Sequence, residues 1–168
     1  MEGPPQPTAF VGDACALIDI LDANESVLAL IVKHVAPVIV PTPVLGEIRQ
    51  LDERHCTALG LTVLEPSLEQ LDEAADFHPA LSFADMVCLI VARDGNYVCL
   101  TSDGPLGDEC EARGVTRMRG LRPLILLVER GVLTPAAAVA TVELIALRNA
   151  YITDAVVAEF VRQITPGS

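Results

Sequence analysis

Along the first two thirds of the chain, short apolar runs alternate with longer stretches in which apolar residues return every three or four positions. The runs predict strands and the stretches predict helices. AFVGD (9–13) is the first predicted strand, and ACALIDILDANESVLALIVKHV (14–35) the first helix, with a break near Asn24. PVIVP (37–41) is a second strand. Thr42 and Pro43 then supply an N-cap and a first-turn proline for a helix VLGEIRQLDERH (44–55), with Glu47 just over a turn inside. LTVLE (61–65) predicts a third strand, SLEQLDEAADF (67–77) a polar helix, and Ser82 opens the apolar helix FADMVCLIVARDG (83–95). YVCLTS (97–102) is a fourth strand, GPLGDECEARG (104–114) a further helix, and VTRMR (115–119) a weak edge strand. Such alternation predicts an α/β domain on a mostly parallel sheet of four to five strands.

From Gly120 onward the pattern is helical only. Residues 121–164 predict three helices, punctuated at 131–135 and at Thr153. Their apolar positions exceed what one buried face takes, which predicts packing on the sheet layer plus an interface with another chain, a homodimer or a tight complex. MEGPPQPT (1–8) predicts a disordered or extended N-terminus. The remainder, 9–168, reads as one domain with 120–168 as its helical extension.

Composition narrows the class. A chain of 168 residues that is 51% apolar is large enough to bury a core and too apolar for disorder. No 18-residue run is free of charge or proline, and the N-terminus lacks the basic and apolar regions of a signal peptide. The expectation is a soluble, cytoplasmic protein with no membrane partner. Five cysteines, an odd number without a C-x-x-C pair, suggest reduced core thiols rather than a zinc site or a disulfide framework. The net charge of −12 opposes phosphate binding, so any nucleic-acid function has to account for it. Arg113, Arg117, Arg119 and Arg122 fall within ten positions and leave room for a local basic rim.

Four acids fall at predicted strand-to-helix junctions or in the first turns beyond them: Asp13, Glu47, Asp85 and Asp103. In an open parallel sheet those junctions share the edge where ligands bind. Each has a plainer reading. Asp13 can cap a helix, Asp103 can start the turn DGP, and Ser82 with Asp85 has the S-x-x-D spacing of a capping box. Glu47 lies beyond the usual capping positions. Together, four carboxylates repel, and protonation or a divalent cation relieves the repulsion. Mg2+ and Mn2+ take oxygen ligands and bridge to phosphate, the chemistry of metal-assisted phosphodiester hydrolysis.

FVGDACALIDIL, VPTPVLGEI, LSFADMVCLIVAR and CLTSDGPLGDECEARGV resemble, in order and spacing, the acidic motifs of PIN-domain ribonucleases, over about residues 9–118. The resemblance implies a three-layer α/β/α fold and a Mg2+- or Mn2+-dependent endoribonuclease acting on RNA. Its metal-binding acids fall on Asp13, Glu47, Asp85 and Asp103, its hydroxyl before the last aspartate on Thr101, and a further acid of some members near Asp108. The tail is similar to the helical extension of toxin-type PIN proteins, which implies a homodimer and an antitoxin that blocks activity. Ala14 and Cys15 depart from the pattern, which usually has a small hydroxyl or amide residue after the first aspartate, and this puts the support of the metal in doubt.

Among the remaining residues, His34, His55 and His78 lack ligand spacing, and Asp72, Glu73 and Asp76 suit a solvated helix face. Arg49 and Arg93 are candidates to reach a phosphate, and Arg117, Arg119 and Arg122 to contact RNA or an acidic partner. A phosphoacceptor receiver domain needs an acidic pair at the first strand and a late lysine. Neither is present, Lys33 being the only lysine. A haloacid-dehalogenase-type phosphatase needs D-x-D, and DAC fails it. The competing reading is a catalytically silent PIN-like module that acts by protein binding.

Overall fold

Five short strands lie side by side and all parallel, in the order β3-β2-β1-β4-β5. They are β1 (Phe10–Gly12), β2 (Val38–Pro41), β3 (Thr62–Leu64), β4 (Val98–Leu100) and β5 (Arg117–Met118). This is a computed structural model that describes residues 6–165 and Gly167. Most of the N-terminal segment 1–8 thus lies outside the described residues. Among those described, nine helices flank the sheet: α1 (Ala14–His34), α2 (Thr42–Leu45), α3 (Glu53–Leu59), α4 (Leu68–Ala74), α5 (Phe83–Gly95), α6 (Gly104–Ala112), α7 (Arg122–Glu129), α8 (Pro135–Arg148) and α9 (Asp154–Ile164). α5 packs with α2, α4 and α6, whereas α1 packs with α3, α7 and α8. The two groups are the outer layers of a three-layer α/β/α fold, as the alternating pattern and the resemblance imply.

Local chemistry explains most element boundaries. Asp13, Asp52, Ser67, Ser82, Asp103, Thr134 and Thr153 each accept a backbone N–H with the side chain and so cap the helix that follows. α1 breaks at Asn24, whose backbone leaves the helical region and whose side chain accepts the N–H of Ser26 at 3.2 Å. In α5, Met86 through Ala92 are all buried, so this helix is apolar all round and sits at the centre of its layer. Four cysteines (Cys56, Cys88, Cys99 and Cys110) are buried and Cys15 is exposed, all as free thiols.

One predicted element divides. The helix expected over 44–55 is instead the single turn of α2, a run of turns through Gln50, and the separate helix α3. Asp52 causes the restart, since its carboxylate accepts the N–H of His55 at 2.7 Å. Thr42 is the first helical residue and caps nothing with its side chain, while Pro43 does occupy the first turn. Glu47 is therefore carried by a turn.

The tail rests on the same core. Ala138, Val142, Phe160 and Ile164 are buried in the cluster that holds Phe10, Leu28 and Leu89. α7 and α8 lie against α1, and α9 against α7 and α8. No helix among the described residues is long and apolar enough to cross a membrane.

Candidate functional site

The strand order places β1 between β2, which precedes a helix on one side, and β4, which leads away on the other. Chain direction across the sheet reverses at the β1–β4 pair, and an open α/β sheet has its crevice beyond the carboxyl ends of such a pair. Gly12 stands opposite Leu100 in register, so Asp13 and Thr101 are the next residues out on the two strands. The N–H of Asp13 donates to the Leu100 carbonyl at 3.1 Å and extends the pairing by one bond. The pairing of β1 with β4 therefore delivers a carboxylate and a hydroxyl to the same point.

Asp13 is 3% exposed, and both its oxygens are occupied. Oδ1 accepts the N–H of Ala16 at 2.7 Å, and Oδ2 accepts the hydroxyl of Thr101. Thr101, itself fully buried, in turn accepts the N–H of Asp103 at 3.0 Å. Burial pushes the Asp13 carboxyl up to about 6, against the pull of its bonds from Thr101 and Ala16, and the negative charges of Asp85 and Asp103 push it further the same way. Asp85 and Asp103 are thus both near enough for their charge to act on Asp13. Glu47 joins them through Asp85: its carboxyl is raised by partial burial and then by the Asp85 charge.

As they stand, three of these acids also serve the backbone. Asp13 caps α1, Asp103 caps α6 through the N–H of Leu106 at 2.8 Å, and Asp85 accepts the N–H of Ser82 at 3.0 Å in a reciprocal capping box. The plain capping roles and the shared edge are both present. Among the described residues, no three His, Cys, Asp or Glu side chains are grouped so that they could hold a metal ion. The donor set itself is all oxygen, carboxylates with one hydroxyl beneath them, which suits a hard divalent cation rather than zinc or copper.

The other candidates spread out. Arg49 is exposed two residues beyond Glu47, and Arg119 is exposed just past the carboxyl end of β5. Asp108 is exposed on α6. Arg93 is not brought to the acid edge. It sits in the last turn of α5, about 12 Å along the helix from Asp85, and donates to Glu73 at 2.7 Å and to Asp94 at 2.9 Å. Arg117 lies across α6 over Gly107, where a Cβ would come within 2.0 Å of its guanidinium. Lack of a side chain at Gly107 is what lets Arg117 lie there.

One feature departs from the core-thiol reading of the cysteines, and another had no part in the sequence reading. Cys15 is exposed beside Asp13, its thiol pushed up to about 11 by burial of part of the group and by Asp13, Asp19, Asp85 and Asp103. Ser102 accepts the N–H of Gly120 at 3.0 Å, and a Cβ at Gly120 would meet that same oxygen at 2.9 Å. The segment carrying Asp103 is thereby tied to the start of the tail. Only the glycine, placed between a strand and a helix, hinted at so close an approach. Neither the protein-family models nor the curated proteins compared with this chain match it.

Proposed function

We propose that the chain is an endoribonuclease of the PIN type, dependent on Mg2+ or Mn2+, with Asp13, Glu47, Asp85 and Asp103 as its working acids. The observation that carries this reading is Asp13, a carboxylate 3% exposed at the sheet's switch point with two further aspartates adding to its charge. A buried acid among like charges is costly to keep ionised, and a cation bound among them removes that cost. The four acids would hold the ion, which when bound polarises a phosphodiester and offsets negative charge where RNA approaches. Thr101 acts as a positioning residue, fixing the outer oxygen of Asp13 and the backbone of Asp103 with one hydroxyl. Arg49 and Arg119, exposed near Glu47 and beyond β5, are the side chains with which this edge would meet the RNA backbone despite a net charge of −12.

A second reading is a catalytically silent module of the same fold, favoured by the capping bonds that occupy Asp13, Asp85 and Asp103. Cleavage of total RNA by the purified chain, with end mapping, separates the two. Cleavage that needs Mn2+ or Mg2+, stops with chelator and is lost in Asp13→Asn supports the nuclease. Cleavage unchanged by chelator, or retained in full by Asp13→Asn, sinks it.

A further inference from the structure

The tail keeps an apolar face that its own chain does not cover. α8 buries Ala138, Thr141, Val142 and Ile145. On its opposite side Leu144 is 48% exposed and Leu147 82%, and Tyr151, just past the helix, is 90% exposed. Scattered single apolar residues on a surface need no explanation, but Leu144 and Leu147 are neighbours at i and i+3 on α8, and Tyr151 follows in the turn just beyond the helix end. Beside these side chains runs a groove of about 590 Å³ between α8 and α9, with Ala146, Ala150, Ile152 and Val157 on its walls.

Charge decides what fits there. Glu143 and Asp154 line the groove, which has no basic residue in its walls. Asp19 and Asp22 lie beneath the end of α8, where Asn149 donates to Asp19 at 2.9 Å. Arg148 is the base at this end of the helix, and it is paired with Asp22 at 3.2 Å. A second copy of the chain is disfavoured, because an antiparallel two-fold pair of α8 helices sets each flank against the same flank of its twin, acid against acid. We infer that the α8–α9 groove is a docking surface for a basic amphipathic helix of a partner protein, whose apolar stripe covers Leu144, Leu147 and Tyr151 and whose cations meet Glu143 and Asp154. This surface is independent of the acid edge, and it stands or falls apart from the nuclease.

The probe is a labelled synthetic amphipathic helix with leucines on one stripe flanked by lysines, compared with the same stripe flanked by glutamates, by fluorescence anisotropy with the full chain. The lysine peptide binds and the glutamate peptide does not. Leu147→Ser with Tyr151→Ser, both at exposed positions, weakens binding by about tenfold or more, and Glu143→Gln with Asp154→Asn by about fivefold. If the second pair of substitutions leaves affinity unchanged, the attraction is the overall charge of the chain and the docking surface is refuted. If the first pair leaves it unchanged, these apolar side chains are not the seat. Light scattering supplies the remaining arm. A chain that is dimeric alone, and becomes monomeric in Leu147→Ser with Tyr151→Ser, has a second copy as occupant, which also overturns the inference.

Discussion

The acid edge and the helical tail use their side chains in opposite ways. At the edge a polar residue is buried and fully bonded: Asp13 has two partners, Thr101 two, and neither is exposed. In the tail apolar residues are left in water, with Leu147 and Tyr151 more than four fifths exposed. Burying a carboxylate runs against the hydration of its charge, and exposing a leucine against the hydrophobic effect. Leu68 and Phe77 are as exposed elsewhere. At the tail, however, the exposed side chains stand together beside an acidic groove, and at the edge the buried acid stands among other acids, so folding alone accounts for neither grouping.

Breaking the packing under each region tests whether they differ in kind. Leu89, fully buried in the middle of α5, supports the edge. Leu89→Ala should cost about 4 kcal/mol, the transfer of its methyl groups plus the cavity left in a layer with little room to collapse. Denaturant melts read that as a lowered midpoint for the whole protein. Phe160 is the largest buried side chain of α9, which meets only α7 and α8 closely. Phe160→Ala removes about 3 kcal/mol, which should release α9 while the sheet stays folded. Amide exchange then speeds over Asp154–Ile164 and not over β1 or β4. Equal loss of protection everywhere would show that tail and sheet are one cooperative unit.

The edge has a pH signature that the tail lacks. An unfolded aspartate titrates near 3.8, and Asp13 in the folded chain near about 6. Below the first value both states are protonated and Asp13 carries no penalty. Between the two the folded state keeps a proton that the unfolded state has released, so stability falls as pH rises. Above about 6 the whole cost is present, about 3 kcal/mol at 1.36 kcal/mol per unit. With chelator present, Asp13→Asn should flatten this fall between about pH 4 and about pH 7 and be the more stable protein at neutral pH. A mutant curve parallel to that of the wild type would place the titrating group elsewhere.

How far the sequence carried the reader differs between the regions as well. The edge was legible because its residues obey short-range rules. Strand β1 ends where the apolar run ends, Ser82 and Asp85 have capping-box spacing, and Asp103 precedes a proline turn. That Asp13 lies beside Thr101 comes from the pairing of β1 with β4 and their register, which the sequence did not give; Thr101 entered the sequence reading only through the resemblance. The break between α2 and α3 was missed because 44–55 has helical periodicity throughout, although Asp52 followed by Glu53 is a recognisable N-cap and first turn. The partners of Arg93 were hidden for a different reason. The distance of Arg93 along α5 from Asp85 is fixed by helical rise, and Glu73, which claims it, comes from α4 across a long-range contact that no local pattern encodes. In the tail the surplus of apolar positions was visible, whereas the choice of which face of α8 stays open depends on α1 and could not be read from α8 alone.

Capping and charge clustering, both present at Asp103, come apart in Asp103→Asn. Asparagine caps a helix about as well as aspartate, so the bond to the N–H of Leu106 is kept and only the charge is lost. If Asp103 only caps, its melting temperature stays put with or without metal. If its charge also presses on Asp13, the metal-free mutant gains roughly 1 kcal/mol, and the rise that millimolar Mn2+ gives the wild type by binding the folded state shrinks. Thermal melts of both proteins, with chelator and with Mn2+, need no knowledge of the RNA. Equal metal-induced shifts would return Asp103 to a capping role and weaken the nuclease reading with it.

The smallest effect belongs to the tail's open face. Leu147 points away from α1, so Leu147→Ser gives up almost no buried area and loses only the helix propensity of leucine, about 0.5 kcal/mol or less. Val142, on the other side of the same helix and fully buried, supplies the internal control. Val142→Ala should cost about 2 kcal/mol, since it removes methyl groups from the contact with α1 and leaves a void. Both substitutions sit in one helix, and propensity works against the expected order, since alanine favours the helix over valine while serine disfavours it relative to leucine; a larger cost at Val142 therefore reads burial. A ratio near four in the shift of the denaturation midpoint fits a helix with one face for folding and one kept free. Should Leu147→Ser cost as much as Val142→Ala, Leu147 is already packed within the chain, and the surface offered for docking disappears.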